Sequence, residues 1–245
     1  PAKVNGTAEF GIDVRLPGMV YASLEQSPVI GGKVVRVDST AAKAMPGVVD
    51  VIEIPDGVAV VANSYWGAVK ARRALKIDWD FGAGANLSSD GMIETHRQAS
   101  STGKVLPIQP AKGDALGAIG GSAKKLSATY ITPLQSHSPM EPMNFTAHVT
   151  GGKALLIGPT QFQQGVQGGV AAALGIKPED VQVQTTFLGG GFGRRIELDF
   201  PVQAALISKA VKLPVKLVWS REDDMTHDFY RPIGFNQINA GLDSN

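Results

Sequence analysis

The sequence predicts an α+β fold, and three observations carry that prediction. Short apolar runs with period-two alternation recur along the chain, helix-forming stretches with capping residues stand between several of them, and an interval rich in Gly, Ala, Ser and Pro separates two blocks of such elements. In the first block, MVYASLEQS (19–27) and KVVRVDS (33–39) are extended, TAAKAMPG (40–47) is a short helix with a Thr cap and a Pro-Gly stop, and VVDVIEI (48–54) alternates as a strand. This reads as one β-α-β unit. A second follows, with GVAVVAN (57–63) extended, SYWGAVKARRAL (64–75) helical behind Ser64 as cap, and KIDWDF (76–81) extended. A small α/β domain over residues 1–82 is the expectation.

Residues 83–122 read as a linker holding a short helix near MIETHRQA (92–99). The second domain, 123–245, opens with KKLSATYIT (124–132), a strand with Leu126, Ala128 and Tyr130 on one face. FTAHVT (145–150) and KALLIG (153–158) form a hairpin across Gly151-Gly152. Next come a helix in 161–175 closed by Gly175, a strand VQVQTTF (181–187), a glycine loop, a helix DFPVQAALISKAVK (199–212) and a strand PVKLVWS (214–220). REDDMTHD (221–228) reads as a solvated acidic loop and GFNQINAGL (234–242) as a strand.

Composition narrows the functional classes. The 245 residues are 43% hydrophobic and 18% charged, which suits a globular chain with a sizeable core. Lys plus Arg number 23 against 22 Asp plus Glu, so no global field argues for nucleic acid or an anionic membrane as the main partner. No apolar run approaches the roughly 20 residues of a membrane span. With no cysteine, disulfides, thiolate metal sites and cysteine nucleophiles are excluded from this chain. The chain opens at Pro1 and closes on GLDSN after a strand-like run, and so reads as a piece of something longer.

The segment FLGGGFGRRIE (187–197) stands between a strand and a helix, where backbone N–H groups commonly receive an anion. A dinucleotide loop would need a third glycine where Arg194 stands, and no Gly-Lys-Ser/Thr follows for a P-loop. Two readings stay open. Either accessible amides and the guanidiniums of Arg194 and Arg195 hold an oxyanion, or the glycines form a packed bend with both arginines solvated. His137 and Glu141 have a metal-ligand spacing, but Pro139 and Pro142 argue against the helix that would use it, leaving Glu141 exposed or paired internally. Gln161, in the first turn of the helix after GPT, is either a plain surface glutamine or a holder of a ligand oxygen.

The ordered set SPMEP, PTQ, LGGGFGRR and VKLVWSREDDM, with KVNGTAEFGIDVRLPGMVYA and PGVVDVI before it, resembles the molybdopterin-binding large subunit of the xanthine dehydrogenase and aldehyde oxidase family. The isoquinoline 1-oxidoreductase β-subunit branch is the nearest likeness. The resemblance implies an α/β hammerhead domain followed by the first part of a molybdopterin-binding domain. It implies a molybdopterin-type molybdenum cofactor in its cytosine dinucleotide form, with contacts from Gln161, Gly189, Gly190, Gly191, Phe192, Gly193 and Arg194, and no direct protein ligand to the metal. It implies partners too: the remainder of the large subunit, an iron–sulfur small subunit carrying 2Fe-2S clusters, and a small aldehyde or N-heterocycle as substrate. The implied reaction is oxidation with water-derived oxygen; the alternative is a non-catalytic domain for cofactor loading or subunit assembly. The family's general base is expected beyond Asn245, so no catalytic residue is expected within this chain and the chain alone is expected to be inactive. Many xanthine-oxidising relatives carry a glutamate where Ile196 stands, which turns the expectation away from purines, and Glu197, one step off that position, is not expected to be the missing catalytic acid. The resemblance also favours the periplasm over the cytoplasm.

Overall fold

The computed structural model describes residues 2–103 and 113–244; residues 104–112 of the expected linker lie outside the described residues. The elements in chain order are α1 (Ala2–Asn5), β1 (Val20–Gln26), β2 (Lys33–Asp38), α2 (Thr40–Lys43), β3 (Val48–Ile54), β4 (Gly57–Ala62), α3 (Tyr65–Arg72) and β5 (Lys76–Asp80). They continue with α4 (Ser89–Thr102), α5 (Ala115–Gly121), β6 (Lys124–Thr132), β7 (Asn144–Thr150), β8 (Lys153–Gly158), α6 (Gln163–Leu174), β9 (Val181–Thr185), α7 (Asp199–Val211), β10 (Val215–Val218), α8 (Arg221–Thr226) and β11 (Gly234–Leu242). The mixture of helix and sheet is the expected α+β class. Local chemistry explains the element ends: Ser64 Oγ accepts the Gly67 N–H at 3.1 Å at the start of α3, and Gly175 adopts φ +70° after α6.

Seven strands form one sheet in the order β3-β4-β1-β10-β7-β8-β9, with β1/β10 and β8/β9 parallel and the remaining pairs antiparallel. Its core includes Leu24, Phe145, Leu156, Val170, Phe200 and Leu217, all buried, and the Phe145 and Phe200 rings meet at 5.8 Å where α7 covers β7. Gly151 and Gly152, at φ +57° and +76°, make the tight turn between β7 and β8 that their sequence signals.

Two expectations need correction. Neither β-α-β unit forms. The four-residue α2 is far shorter than the dozen or so residues a parallel crossover needs; β2 instead pairs antiparallel with β5 in a separate two-stranded sheet, and β3 turns directly into β4 across Pro55-Asp56. Nor does a boundary near residue 82 divide two compact bodies, because β1, β3 and β4 share their sheet with β7 to β10. The compact units are 1–85 with 136–229, and 86–135 with 230–245. In the second unit, β6 and β11 pair antiparallel over nine residues, accompanied by α4, which begins and ends beyond the expected 92–99, and by the unforeseen α5. Leu126 and Tyr130 of β6 are exposed, so its alternation does not mark a buried face among the described residues.

Candidate functional site

β8 and β9 run parallel with Gly158 opposite Thr185, and α6 connects them. The loops leaving both strands therefore emerge at the same end of the sheet, where open α/β arrangements place their ligands. The loop after β8 is Pro159-Thr160-Gln161; the loop after β9 is the glycine segment. They are stitched together. The Gln161 amide donates to Arg195 O at 3.0 Å, Thr160 Oγ1 donates to the same carbonyl at 3.3 Å, and the Gly193 N–H donates to Gln161 Oε1 at 3.2 Å. Gln161 stands just ahead of α6 rather than in its first turn, and its side chain is exposed. The last of these bonds uses its side-chain oxygen, and among the described residues no hydrogen bond uses its Nε2.

The glycines have an intrachain reason. A Cβ on Gly189 would stand 2.3 Å from Glu141 Cβ and would force the glycine segment off Glu141, and one on Gly191 would stand 2.4 Å from Gln161 Oε1 and would displace that carboxamide. Gly190 and Gly193 adopt φ +99° and +101°. Between them Phe192 is held at φ +55° with its ring largely exposed. A bulky residue in the left-handed region costs on the order of 1–3 kcal/mol, and such strain persists where surrounding structure imposes it.

Glu141 and Arg195 form the base of the loop. Four donors converge on the Glu141 carboxylate: Ile12 N–H at 3.1 Å and Asn144 Nδ2 at 2.9 Å on Oε1, Gly189 N–H at 2.9 Å and Arg195 Nη2 at 3.2 Å on Oε2. Arg195 is fully buried and also donates to Gly190 O and Glu141 O, each at 2.7 Å. Burial pulls its pKa down to about 10, with Glu141 opposing the shift. The buried Lys216 amine donates to the carbonyls of Ile12 and Val14, pinning the segment that feeds Ile12 to Glu141.

Arg194 occupies a different place from the one expected. Its guanidinium is fully buried, bidentate on Asp199 at 3.0 and 2.6 Å, 3.1 Å from Asp228, and within 5.7 Å of the ring centroids of Phe200, Trp219 and Phe229. Neither arginine is solvated, and neither presents a free fork to an oxyanion; the carboxylates of Asp199, Asp228 and Glu141 already occupy them. His137 and Glu141 do not converge either, and no cluster of three or more potential metal ligands occurs among the described residues. His137 Nδ1 instead meets Asp228 Oδ1 at 2.9 Å, while Asp228 Oδ2 accepts from Ser136 Oγ at 2.7 Å and from the His137 amide at 2.5 Å. Burial alone would raise Asp228, but these bonds and Arg194 hold its carboxyl below the usual range.

Asp224 and Asp228 belong to the stretch expected to be a solvated loop. The structure makes 221–226 a helix, α8, and buries both residues. The signal was present: Ser220 and Asp223 form a capping box, with Ser220 Oγ accepting the Asp223 N–H at 3.1 Å and Asp223 Oδ2 accepting the Ser220 N–H at 2.9 Å. Asp224 is paired with Arg221 at 2.6 Å, its buried Oδ1 has no hydrogen-bond partner among the described residues, and burial pushes its pKa up to about 6.

At the ends of these two parallel strands the Gly193 amide and the Gln161 carboxamide are thus joined, with the buried Arg195–Glu141 and Arg194–Asp228 ion pairs beneath them. The chain belongs to the molybdopterin cofactor-binding domain family, whose model matches residues 96–245. The likeness to the xanthine dehydrogenase and aldehyde oxidase group expected from the motifs is thereby borne out. The chain is similar to the isoquinoline 1-oxidoreductase β-subunit of Brevundimonas diminuta, 35% identical over 94% of this chain and 31% of that protein. It is also similar to a membrane-bound aldehyde dehydrogenase of Gluconacetobacter polyoxogenes whose name cites pyrroloquinoline quinone, 33% identical over the whole chain and 33% of that protein. It thus spans about a third of the length of these curated relatives. The fold matches the aldehyde oxidoreductase of Desulfovibrio gigas with a TM-score of 0.76 at 18% identity, covering 99% of this chain and 32% of that one. Among the described residues no helix is long and apolar enough to cross a membrane.

Proposed function

We propose that this chain is part of the large subunit of a molybdenum hydroxylase that oxidises an aldehyde or N-heterocycle with oxygen derived from water, and that the Gln161–Gly193 pair faces the molybdenum cofactor, of cytosine dinucleotide form. One observation carries the reading: Gln161 Oε1 is fixed by the Gly193 N–H beside a strained, exposed Phe192, so the carboxamide is oriented before any ligand arrives. The donor set fits such a group, because what Gln161 Nε2 offers is donors alone, matched to the oxygens a molybdenum cofactor carries. When bound, that cofactor supplies the redox chemistry.

Within this reading Gln161 orients the ligand, Phe192 and Gly193 form its backing, and Gly189, Gly190 and Gly191 act by allowing the loop to close on Glu141, Pro139 and Gln161. Arg194 does not touch the ligand. It anchors the loop to α7 through Asp199 and to Asp228. The exposed Ile196 suits an apolar or weakly polar substrate better than a purine. The remaining large subunit, and an iron–sulfur small subunit with 2Fe-2S clusters, complete the enzyme.

The test is elemental, nucleotide and quinone analysis of the full-length, co-expressed complex, as wild type and as Gln161→Ala. Molybdenum and a cytosine nucleotide in the wild type, both reduced in the variant, are expected. A quinone with no molybdenum would overturn the proposal, and so would a variant with unchanged metal and pterin content.

A further inference from the structure

His137 approaches the same loop at Gly193. The segment 137–141 and the glycine segment interlock: Glu141 packs on Gly189, Pro139 on Gly190, and the His137 Nε2 lies 3.7 Å from where a Cβ of Gly193 would stand. Both segments carry a non-glycine residue in the left-handed region, Ser138 at φ +42° and Phe192 at +55°. Strain on both sides of one contact indicates that its geometry is imposed. The His137 side chain is only 9% exposed, and Nδ1 is committed to Asp228, itself held by Arg194 and Ser136. Nε2 does not take part in this network, and a side chain on residue 193 would cover it.

We propose that Nε2 of His137 is a ligand-holding atom of the site, accepting a hydrogen bond from an N–H or O–H of the bound cofactor's heterocycle. The inference rests on the cofactor reading above. With Nδ1–H directed to the carboxylate, the neutral ring carries its lone pair on Nε2. Gln161 then provides donors and His137 an acceptor, the two flanking Gly193, which matches a ring edge bearing both kinds of group. Asp228 is a positioning residue: it selects the tautomer and holds the ring plane, and Arg194 offsets its charge.

Two measurements on the complete complex test this. The first is diethyl pyrocarbonate footprinting with mass spectrometry on complex purified from hosts able and unable to make the pterin cofactor. His137 should be modified in the cofactor-free complex and protected in the loaded one; equal modification in both overturns the proposal. The second is the rate of pterin release in mild urea, followed by pterin fluorescence. His137→Asn keeps a donor for Asp228 but has nothing in place of Nε2, and should release pterin about fivefold faster, the effect of one hydrogen bond. His137→Gln, which extends an amide to that position, should recover part of the loss. Should His137→Asn fail to fold, the footprint on the wild type still decides. Release from His137→Asn at the wild-type rate, with Gln161→Ala still impaired, overturns the histidine assignment alone; absence of pterin from the wild type overturns both readings.

Discussion

Replacing Glu141 by Gln tests whether the glycine loop is held from beneath as the structure indicates. The carboxylate receives four donors, two on each oxygen: Ile12 N–H and Asn144 Nδ2 on Oε1, Gly189 N–H and Arg195 Nη2 on Oε2. A glutamine retains one acceptor oxygen and turns an NH2 toward the other pair, so either orientation leaves two donors facing a donor. Each orphaned buried donor costs about 1–3 kcal/mol, and removing the charge leaves Arg195, fully buried, without its anion, a loss typically of about 3–5 kcal/mol. These costs overlap rather than add, and about 3–5 kcal/mol is the expected total. Equilibrium urea denaturation should show the midpoint falling at unchanged m, with a melting temperature lower by roughly 10 °C. A loss below about 1 kcal/mol, the range of an exposed ion pair, would refute the claim that this pair is a buried support.

Gly191→Ala should leave the fold intact but displace the Gln161 carboxamide, since the new Cβ would stand 2.4 Å from Oε1; cofactor content should fall toward that of Gln161→Ala, and wild-type content would contradict the contact. Asp224 has a folded-state pKa raised to about 6 from an ordinary 3.8, so the folded protein holds its proton longer than the unfolded chain and stability falls as pH rises between about 4 and 6. Asp224→Asn should flatten that slope, as read from denaturation midpoints across the window, and an unchanged slope would assign it to other groups. Ser220→Ala removes the α8 cap and should cost about 1 kcal/mol by denaturation, whereas a solvated, uncapped loop would lose nothing measurable.

The elements most legible in the sequence are those whose cause is local. Gly151-Gly152 specify their turn by backbone freedom, Ser64 caps α3 with its own hydroxyl, and Gly175 ends α6 in the left-handed region. Gln161 and the glycine loop were recognisable because their motifs lie in fixed order along the chain. The capping box at Ser220 was equally local, but the acidic run that follows it resembles a solvated loop, and sequence shows a carboxylate without showing its counterion.

By itself, then, the sequence determined the α+β class, most strand and helix positions, the family, and which two loops to examine. Only the tertiary structure decided which strands share a sheet, since pairing between β1 and β10 joins residues some two hundred positions apart and leaves no local trace. It alone decided that Arg194 and Arg195 face inward. A guanidinium is equally at home in water or against a buried carboxylate, and the choice falls to partners such as Asp228 and Glu141 that only folding brings within reach.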